Sequence, residues 1–446
     1  MNAHALRRKR LLALMEPGSV AVLPTAPEVA RNSDSDYPYR HDSHFYYLTG
    51  FSEPEAVLVM VAARGEDPAL AILFCREKNP EREIWDGYRH GPEAARAAFG
   101  FDTAHPVASL DTEMARLLAN APSLYLPSGR GAHLLQLETR VKGWLDAVRG
   151  QSRSGVTAPE TLRNVLPLID EMRLIKDGEE QATMLRAATI SGQAHARAMR
   201  TSRPGMHEYE IEAELLHEFR RNGAQAPAYN SIVASGANAC VLHYSANDAL
   251  VKDGDLVLID AGCELDGYAS DITRTYPVNG RFSAPQRELY QLVLDAQEAA
   301  LQAIRPGQPY QSVHDAAVRV LVQGMLDFGL LDQGKYASLD EAIASKSYTQ
   351  FYMHGTGHWL GMDVHDVGLY RDVQATGKPS RPLEPGMVLT VEPGIYVRPA
   401  EGVPEQYWNI GIRIEDDVLV TASGHTILSA AAPKTIAEIE QLMRQP

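Results

Sequence analysis

The stretch Leu256-Val-Leu-Ile-Asp260-Ala-Gly-Cys-Glu-Leu-Asp-Gly-Tyr-Ala-Ser-Asp271-Ile-Thr-Arg-Thr-Tyr276 decides how the larger part of this chain folds. Two β-rich runs flank Asp266-Gly267, a dipeptide suited to a two-residue hairpin turn because both central positions need a positive φ. With that turn as the loop, Asp260 faces Thr273, and Asp271 sits diagonally on the same face, about 7 to 8 Å away between backbones. Two carboxylates placed so can converge on one cation. The alternative is a pair of surface acids beside a turn, yet an aspartate closing Leu-Val-Leu-Ile is costly to bury without a positive partner.

Around this hairpin the pattern is of α+β type. Glu179 to Arg200, Glu208 to Asn222, Gln286 to Ile304 and Ser312 to Phe328 have helical periodicity, and Met387 to Val391, Ile410 to Ile414 and Val418 to Thr421 are short β-rich runs. The first third is α/β. Ser19 to Leu23, Ala56 to Ala63, Leu70 to Cys75 and Ser123 to Leu126 suit strands of one sheet, and Glu93 to Phe99, Leu110 to Ala121 and Leu134 to Val148 suit helices. Leu162 to Lys176 continues the helical pattern, so the expected domains are residues 1–173 and 174–446.

A length of 446 residues accommodates about two or three domains. Lys+Arg 42 against Asp+Glu 57 leaves a net charge of −15, which does not suit a nucleic-acid backbone. The longest apolar run, Ala56 to Ala63, falls far short of a membrane span. Arg7-Arg8-Lys9-Arg10 precedes too short an apolar stretch for a secretory signal and reads as a surface helix. The 3 cysteines, Cys75, Cys240 and Cys263, lack Cys-x-x-Cys spacing and fit a reducing cytoplasm.

Chemistry-bearing residues recur after the hairpin. In His354-Gly-Thr-Gly-His358-Trp-Leu-Gly-Met-Asp-Val-His365-Asp366, glycines between the first histidines and the lack of a following glutamate disfavour a helical zinc pair. The clustering of His354, His358 and His365 still points to a site. Glu392 follows Leu-Thr-Val and precedes a Pro-Gly turn, and Arg413 and Glu415 share the strand face opposite Ile410, Ile412 and Ile414. Asp260, Asp271, His358, Glu392 and Glu415 thus offer four carboxylates and one imidazole, whose charge two divalent ions would neutralise. Oxygen-rich ligation without thiolates favours Mn²⁺, Mg²⁺ or a related hard ion. Such a pair activates water and polarises a carbonyl, the chemistry of hydrolysis.

These residues, in Ile-Asp-Ala-Gly, Ser-Asp-Ile-Thr-Arg-Thr, His-Gly-Thr-Gly-His-Trp-Leu-Gly-Met-Asp-Val-His-Asp, Val-Glu-Pro-Gly and Arg-Ile-Glu-Asp-Asp, resemble the metallopeptidase family of methionine aminopeptidase, prolidase and aminopeptidase P. Asp36 to Phe51, Glu83-Ile-Trp-Asp-Gly87 and Glu171-Met-Arg-Leu-Ile-Lys176 resemble its bacterial aminopeptidase P branch in particular. The resemblance implies a creatinase-like α/β N-terminal domain and an α+β "pita-bread" catalytic domain. It implies cleavage between an N-terminal residue and a following proline, with Mn²⁺ as the expected ion. Asp271 and Glu415 would bridge two metals, Asp260 would complete one shell, and His358 with Glu392 the other. Glu392 would also serve as general base, His365 would stabilise the oxyanion, and His354 would join them in the cleft. His243, Arg413, Tyr396 and Trp85 are the expected substrate-binding residues, Arg413 also orienting Asp260. Trp85 and Asp34 match positions that relatives lend to a neighbouring subunit, which implies an oligomer, a tetramer or dimer.

One departure is the long connector Tyr370 to Pro382, which leaves open whether Arg371 or Arg381 serves the cleft. Rival readings are a prolidase confined to Xaa-Pro dipeptides, creatinase-type chemistry or a non-catalytic binding protein on the same fold, and an unrelated α/β binding module. Metal content separates the last three from a peptidase.

Overall fold

The apolar runs of the first third pair into one mixed sheet. Its spatial order is Thr103–Pro106, Leu70–Cys75, Val57–Val61, Val20–Pro24, Ser123–Leu126 and Thr161–Asn164. The three central strands are antiparallel neighbours, and the flanking pairs are parallel. Alternate side chains such as Val20, Val22, Val57, Val59, Ile72 and Phe74 pack with Leu110 and Met114 of one helix and Val141 and Trp144 of another. This computed structural model describes residues 2–129 and 132–444. The chain separates into two units, one ending at Arg173 and the other starting at Leu174.

Two expectations for the first unit need correcting. The helical pattern over Leu162 to Lys176 is part strand, because Thr161–Asn164 forms an edge strand parallel to Ser123–Leu126 and only Leu166–Leu174 is helix. Pro167 falls in the first turn of that helix, where its missing N–H costs no hydrogen bond, and the Asn164 side chain accepts from Leu166 N at 3.1 Å, marking the start. The basic N-terminal segment is a surface helix, Ala3–Leu14, with Lys9 and Arg10 exposed, but Arg7 and Arg8 are buried with Leu11. Arg8 donates to the carbonyls of Leu48, Phe99 and Gly100 at 2.8, 2.9 and 2.7 Å. It therefore ties its own helix to two other backbone segments and is itself no part of a cationic patch.

In the second unit, two helix pairs each precede a three-stranded antiparallel sheet. Gly178–Thr201 and Glu208–Arg221 precede Ile232–Ser235, Leu256–Asp260 and Thr273–Pro277; Ala284–Gln302 and Gln311–Asp327 precede Val388–Val391, Asp416–Thr421 and Gly424–Ile427. Capping boxes at Asp177 and Ser283 set where the long helices begin. Gly394–Val397 and Ile410–Arg413 form a further hairpin. One core runs through the unit, including Ile211, Leu215, Ile259, Leu289, Val293, Leu321, Trp359 and Ile412. Among the described residues no helix is long and apolar enough to cross a membrane.

The Asp266-Gly267 turn forms with φ of 51° and 80°, and Asp260 faces Thr273 as its register requires. The hairpin is nonetheless discontinuous. Cys263–Leu265 pairs with Tyr268–Ala269 in one sheet, while Leu256–Asp260 pairs with Thr273–Pro277 in another. Asp271 falls in the break, where Asp417 accepts its backbone N–H.

Candidate metal centre and catalytic cleft

Asp260 closes one strand, Glu392 and Glu415 each follow another, and Asp271 lies in the hairpin break, so four acids project from ends of the sheets. His358 comes from a segment held beside Val388–Val391: its backbone N–H donates to Thr390 Oγ1 and its carbonyl accepts from Thr390 N. Gly357 is required there, since a Cβ would stand 2.0 Å from the Thr390 carbonyl oxygen. His358 Nδ1 lies 3.0 Å from the Trp359 carbonyl. Donation there turns Nε2 toward Asp271 Oδ2 at 3.4 Å and Glu392 Oε1 at 3.9 Å.

These five side chains line one cavity of about 530 Å³ with His243, His354, His365, Arg413, Tyr310 and Tyr370. Donor atoms of Asp271, His358 and Glu415 come within 4.8 Å of one another. Arg413 braces the acids, donating to Asp260 Oδ2 at 2.6 Å and to Thr273 Oγ1 at 3.0 Å, and Thr273 donates to Glu415 Oε2 at 2.7 Å. Behind Glu415, the guanidinium of Arg274 pairs with Asp416 at 2.6 Å and donates to the carbonyls of Ala432 and Pro433. Lys434 and Ser429 also reach Asp416, at 2.7 Å each.

The electrostatics are those of buried acids held close together. Burial pushes Asp260 and Glu415 above the usual carboxylate range, Asp271 adding to both, and Arg413 offsets part of the shift. Burial and the neighbouring acids raise Glu392 to about 7, against the pull of His358 and Arg413. Burial also presses on Asp271, but the His358 contact holds its carboxyl below the usual value. His358 itself is carried to about 9 because Asp271 and Glu392 outweigh its desolvation, so the imidazole is drawn toward its protonated form. Burial and Arg413 lower His354 to about 3, and burial and His358 lower His365. The donor set fits divalent ions: clustered carboxylates, one imidazole oriented through its other nitrogen, and no thiolate among the lining residues.

Not every expected residue lines the cavity. Tyr396 is buried behind it, where its hydroxyl meets His354 Nε2 at 2.8 Å and Arg413 at 3.1 Å, so it orients cleft residues and presents no surface to a substrate. Trp85 is 82% exposed on the helix Pro80–Asp86 of the first unit. Neither Arg371 nor Arg381 lines the cavity; Arg371 donates to the Lys378 carbonyl within its own connector. Conversely, the sequence reading missed Tyr229, whose hydroxyl lies 2.6 Å from Asp260 Oδ1 and 2.5 Å from Asp271 Oδ1. No local pattern marks Ala228-Tyr229-Asn230. A larger groove of about 1230 Å³ lies elsewhere, and its arginines pair with acids, Arg287 with Glu440 and Arg319 with Asp340.

A metal-ready acidic centre on a duplicated helix-pair scaffold defines a class of metal-dependent hydrolase, and comparison with known proteins agrees. Residues 182–422 match Metallopeptidase family M24, and residues 4–125 match the aminopeptidase P N-terminal domain. The chain belongs to family M24, with a pita-bread catalytic domain behind that N-terminal domain, and is an aminopeptidase of the metal-dependent kind. It is 47% identical to Xaa-Pro aminopeptidase of Escherichia coli K12 over 98% of this chain and 96% of that protein. It is 36% identical to human Xaa-Pro aminopeptidase 3, over 99% and 86%. Among solved structures, a Pseudomonas aeruginosa aminopeptidase superposes with a TM-score of 0.94 at 49% identity, covering 99% of this chain and 97% of that one. A zinc-substituted E. coli aminopeptidase P in complex with product gives 0.93 at 47%, over 99% and 97%.

Proposed function

We propose that this chain removes the N-terminal residue from peptides whose second residue is proline, using two divalent ions, Mn²⁺ by preference. The observation that carries this reading is the convergence of Asp260, Asp271, His358, Glu392 and Glu415 on one cavity. Asp271 and Glu415 would be shared between the ions, Asp260 would complete one shell, and His358 and Glu392 the other. Two such ions supply an acidified water and polarise the scissile carbonyl.

The chain's own residues do the rest. Glu392, on the cavity wall, takes a proton from the attacking water and delivers it to the proline nitrogen as the amide bond breaks. His365, on the cavity wall, donates to the oxygen of the tetrahedral intermediate. His354 is held by Tyr396, and with His243 it lines the side where the substrate lies. Arg413 aims the Asp260 carboxylate and offsets part of its burial. Proline selectivity has a physical rationale, since its tertiary amide offers no N–H for ordinary peptidases to hold.

Exposed Ile84, Trp85 and Tyr88 support association of copies, in a tetramer or dimer that brings Trp85 and Asp34 of one copy toward the cavity of another. Cytoplasmic residence accords with three free, buried cysteines.

Hydrolysis of Xaa-Pro and Xaa-Pro-Yaa, compared side by side with Mn²⁺, tests the reading. The longer peptide should have the higher kcat/KM because added residues bind along an open groove. A dipeptide preferred by about tenfold, ~1.4 kcal/mol of transition-state binding, would make the protein a prolidase instead.

A further inference from the structure

His365 projects from a stretch that is neither helix nor strand, and it is exposed at the cavity wall. Its ring makes no hydrogen bond among the described residues. It lies parallel on His358, with centroids 4.0 Å apart and planes inclined by 11°. Such a loop keeps one histidine in one place only if its backbone is tied down nearby.

The tie is at the next residue. The side chain of Asp366 is 1% exposed and meets Lys176 Nζ, also 1% exposed, at 2.8 Å. Lys176 is anchored in turn: its N–H donates to the Gly386 carbonyl at 2.8 Å, and its own carbonyl accepts from Gln181 at 2.7 Å. On the loop side, Asp366 N–H donates to the Trp359 carbonyl at 2.9 Å, closing the loop beside His358. Gly361 crosses directly over the pair, for a Cβ there would stand 2.2 Å from Asp366 Oδ2 and 3.0 Å from Lys176 Cε. The pair thus holds the backbone beside both stacked histidines.

We propose that Lys176 and Asp366 are positioning residues for His365, their buried ion pair fixing the loop so that its imidazole stays stacked on His358 and faces the cavity. Neither lines the cavity, so they act through the loop and not on the substrate. An ion pair suits this task better than apolar contact because its hydrogen bond is directional, and breaking it strands a buried charge. The proposal rests on His365 acting on the oxyanion.

A double-mutant cycle of Asp366→Asn and His365→Ala in the full-length, Mn²⁺-loaded protein tests it, with kcat and KM measured on a proline tripeptide. Asp366→Asn should lower kcat by about 10- to 100-fold, the effect of a displacement near 1 Å, with KM within about twofold. In the His365→Ala background the same change should alter kcat by less than about threefold. In crystals of the metal-free Asp366→Asn protein the His365 ring should lose its stack. An equal loss in both backgrounds, or an unmoved ring, overturns the positioning role. Undiminished kcat in His365→Ala alone overturns the reading of His365 instead. Should Asp366→Asn not fold, Lys176→Met with Asp366→Leu removes both charges and enters the same cycle, where wild-type kcat would refute the proposal.

Discussion

Lowering the pH from about 8 to about 6 should weaken Mn²⁺ binding to the metal-free protein by roughly 10³-fold. Protonated ligands must be emptied before the ion can enter, and His358 and Glu392 alone account for this factor. His358, carried to about 9, holds its proton throughout this range and contributes about tenfold per pH unit, or ~100-fold in all. Glu392, raised to about 7, passes from mostly ionised to mostly protonated and adds about another tenfold. The total is ~4 kcal/mol of binding free energy. Calorimetric titration in buffers of different ionisation enthalpy counts the protons released and measures affinity together. The same shifts act on the fold. Asp260, Glu392, Glu415 and His358 all have folded values above their unfolded ones, so the stability they confer is complete at low pH. It is lost as pH rises through about 7 for Glu392 and about 9 for His358. The metal-free protein should therefore melt at a lower temperature as pH rises over the window in which ion binding strengthens. An affinity differing by less than about tenfold between the two pH values, without proton release, would refute this view of the centre.

Chelation should abolish activity, with Mn²⁺ restoring it best among divalent ions, and full activity in protein verified metal-free would remove the proposed mechanism. Glu392→Gln keeps a ligating oxygen but not the base, and should lower kcat by about 10² to 10⁴ while bound metal, measured by elemental analysis, is unchanged. Replacing the second-position proline of a test tripeptide by alanine should cost most of the rate; equal cleavage would contradict the proposed selectivity. Arg8→Met should lower stability by about 1 to 3 kcal/mol in urea titrations, since the buried Leu48 carbonyl and the part-buried carbonyls of Phe99 and Gly100 lose a charged donor, with kcat of the folded enzyme unaltered.

How far the centre was legible depended on whether its geometry is local. Asp266-Gly267 sets the hairpin register within its own neighbourhood, so the pairing of Asp260 with Thr273 followed from counting residues. Acids closing apolar runs at Asp260, Glu392 and Glu415 mark sheet ends for the same reason. The break that frees Asp271 was not legible, because it depends on a distant helix: Ser191 Oγ meets Ser270 Oγ and the Cys263 N–H, and His195 meets the Ala261 carbonyl. Tyr229 escaped notice because a tyrosine between two acids distant in sequence has no periodicity. In the basic run, Lys9 and Arg10 are exposed as expected, while Arg7 and Arg8 are buried, for the converse reason. Its local pattern is that of a solvated helix, but the carbonyls it serves belong to Leu48, Phe99 and Gly100.

The clasp that Arg274, Asp416, Ser429 and Lys434 make behind Glu415 bears on how the enzyme is born. Synthesis delivers Asp260 and Asp271 to the ribosome exit well before Glu415, and the clasp is shut only by residues 429–434. A nascent chain halted before Ser429 would own every ligand yet lack the partners of Asp416, the residue next to Glu415, from Ser429 and Lys434. The support behind the Glu415 strand is therefore completed only once residues 429–434 have emerged.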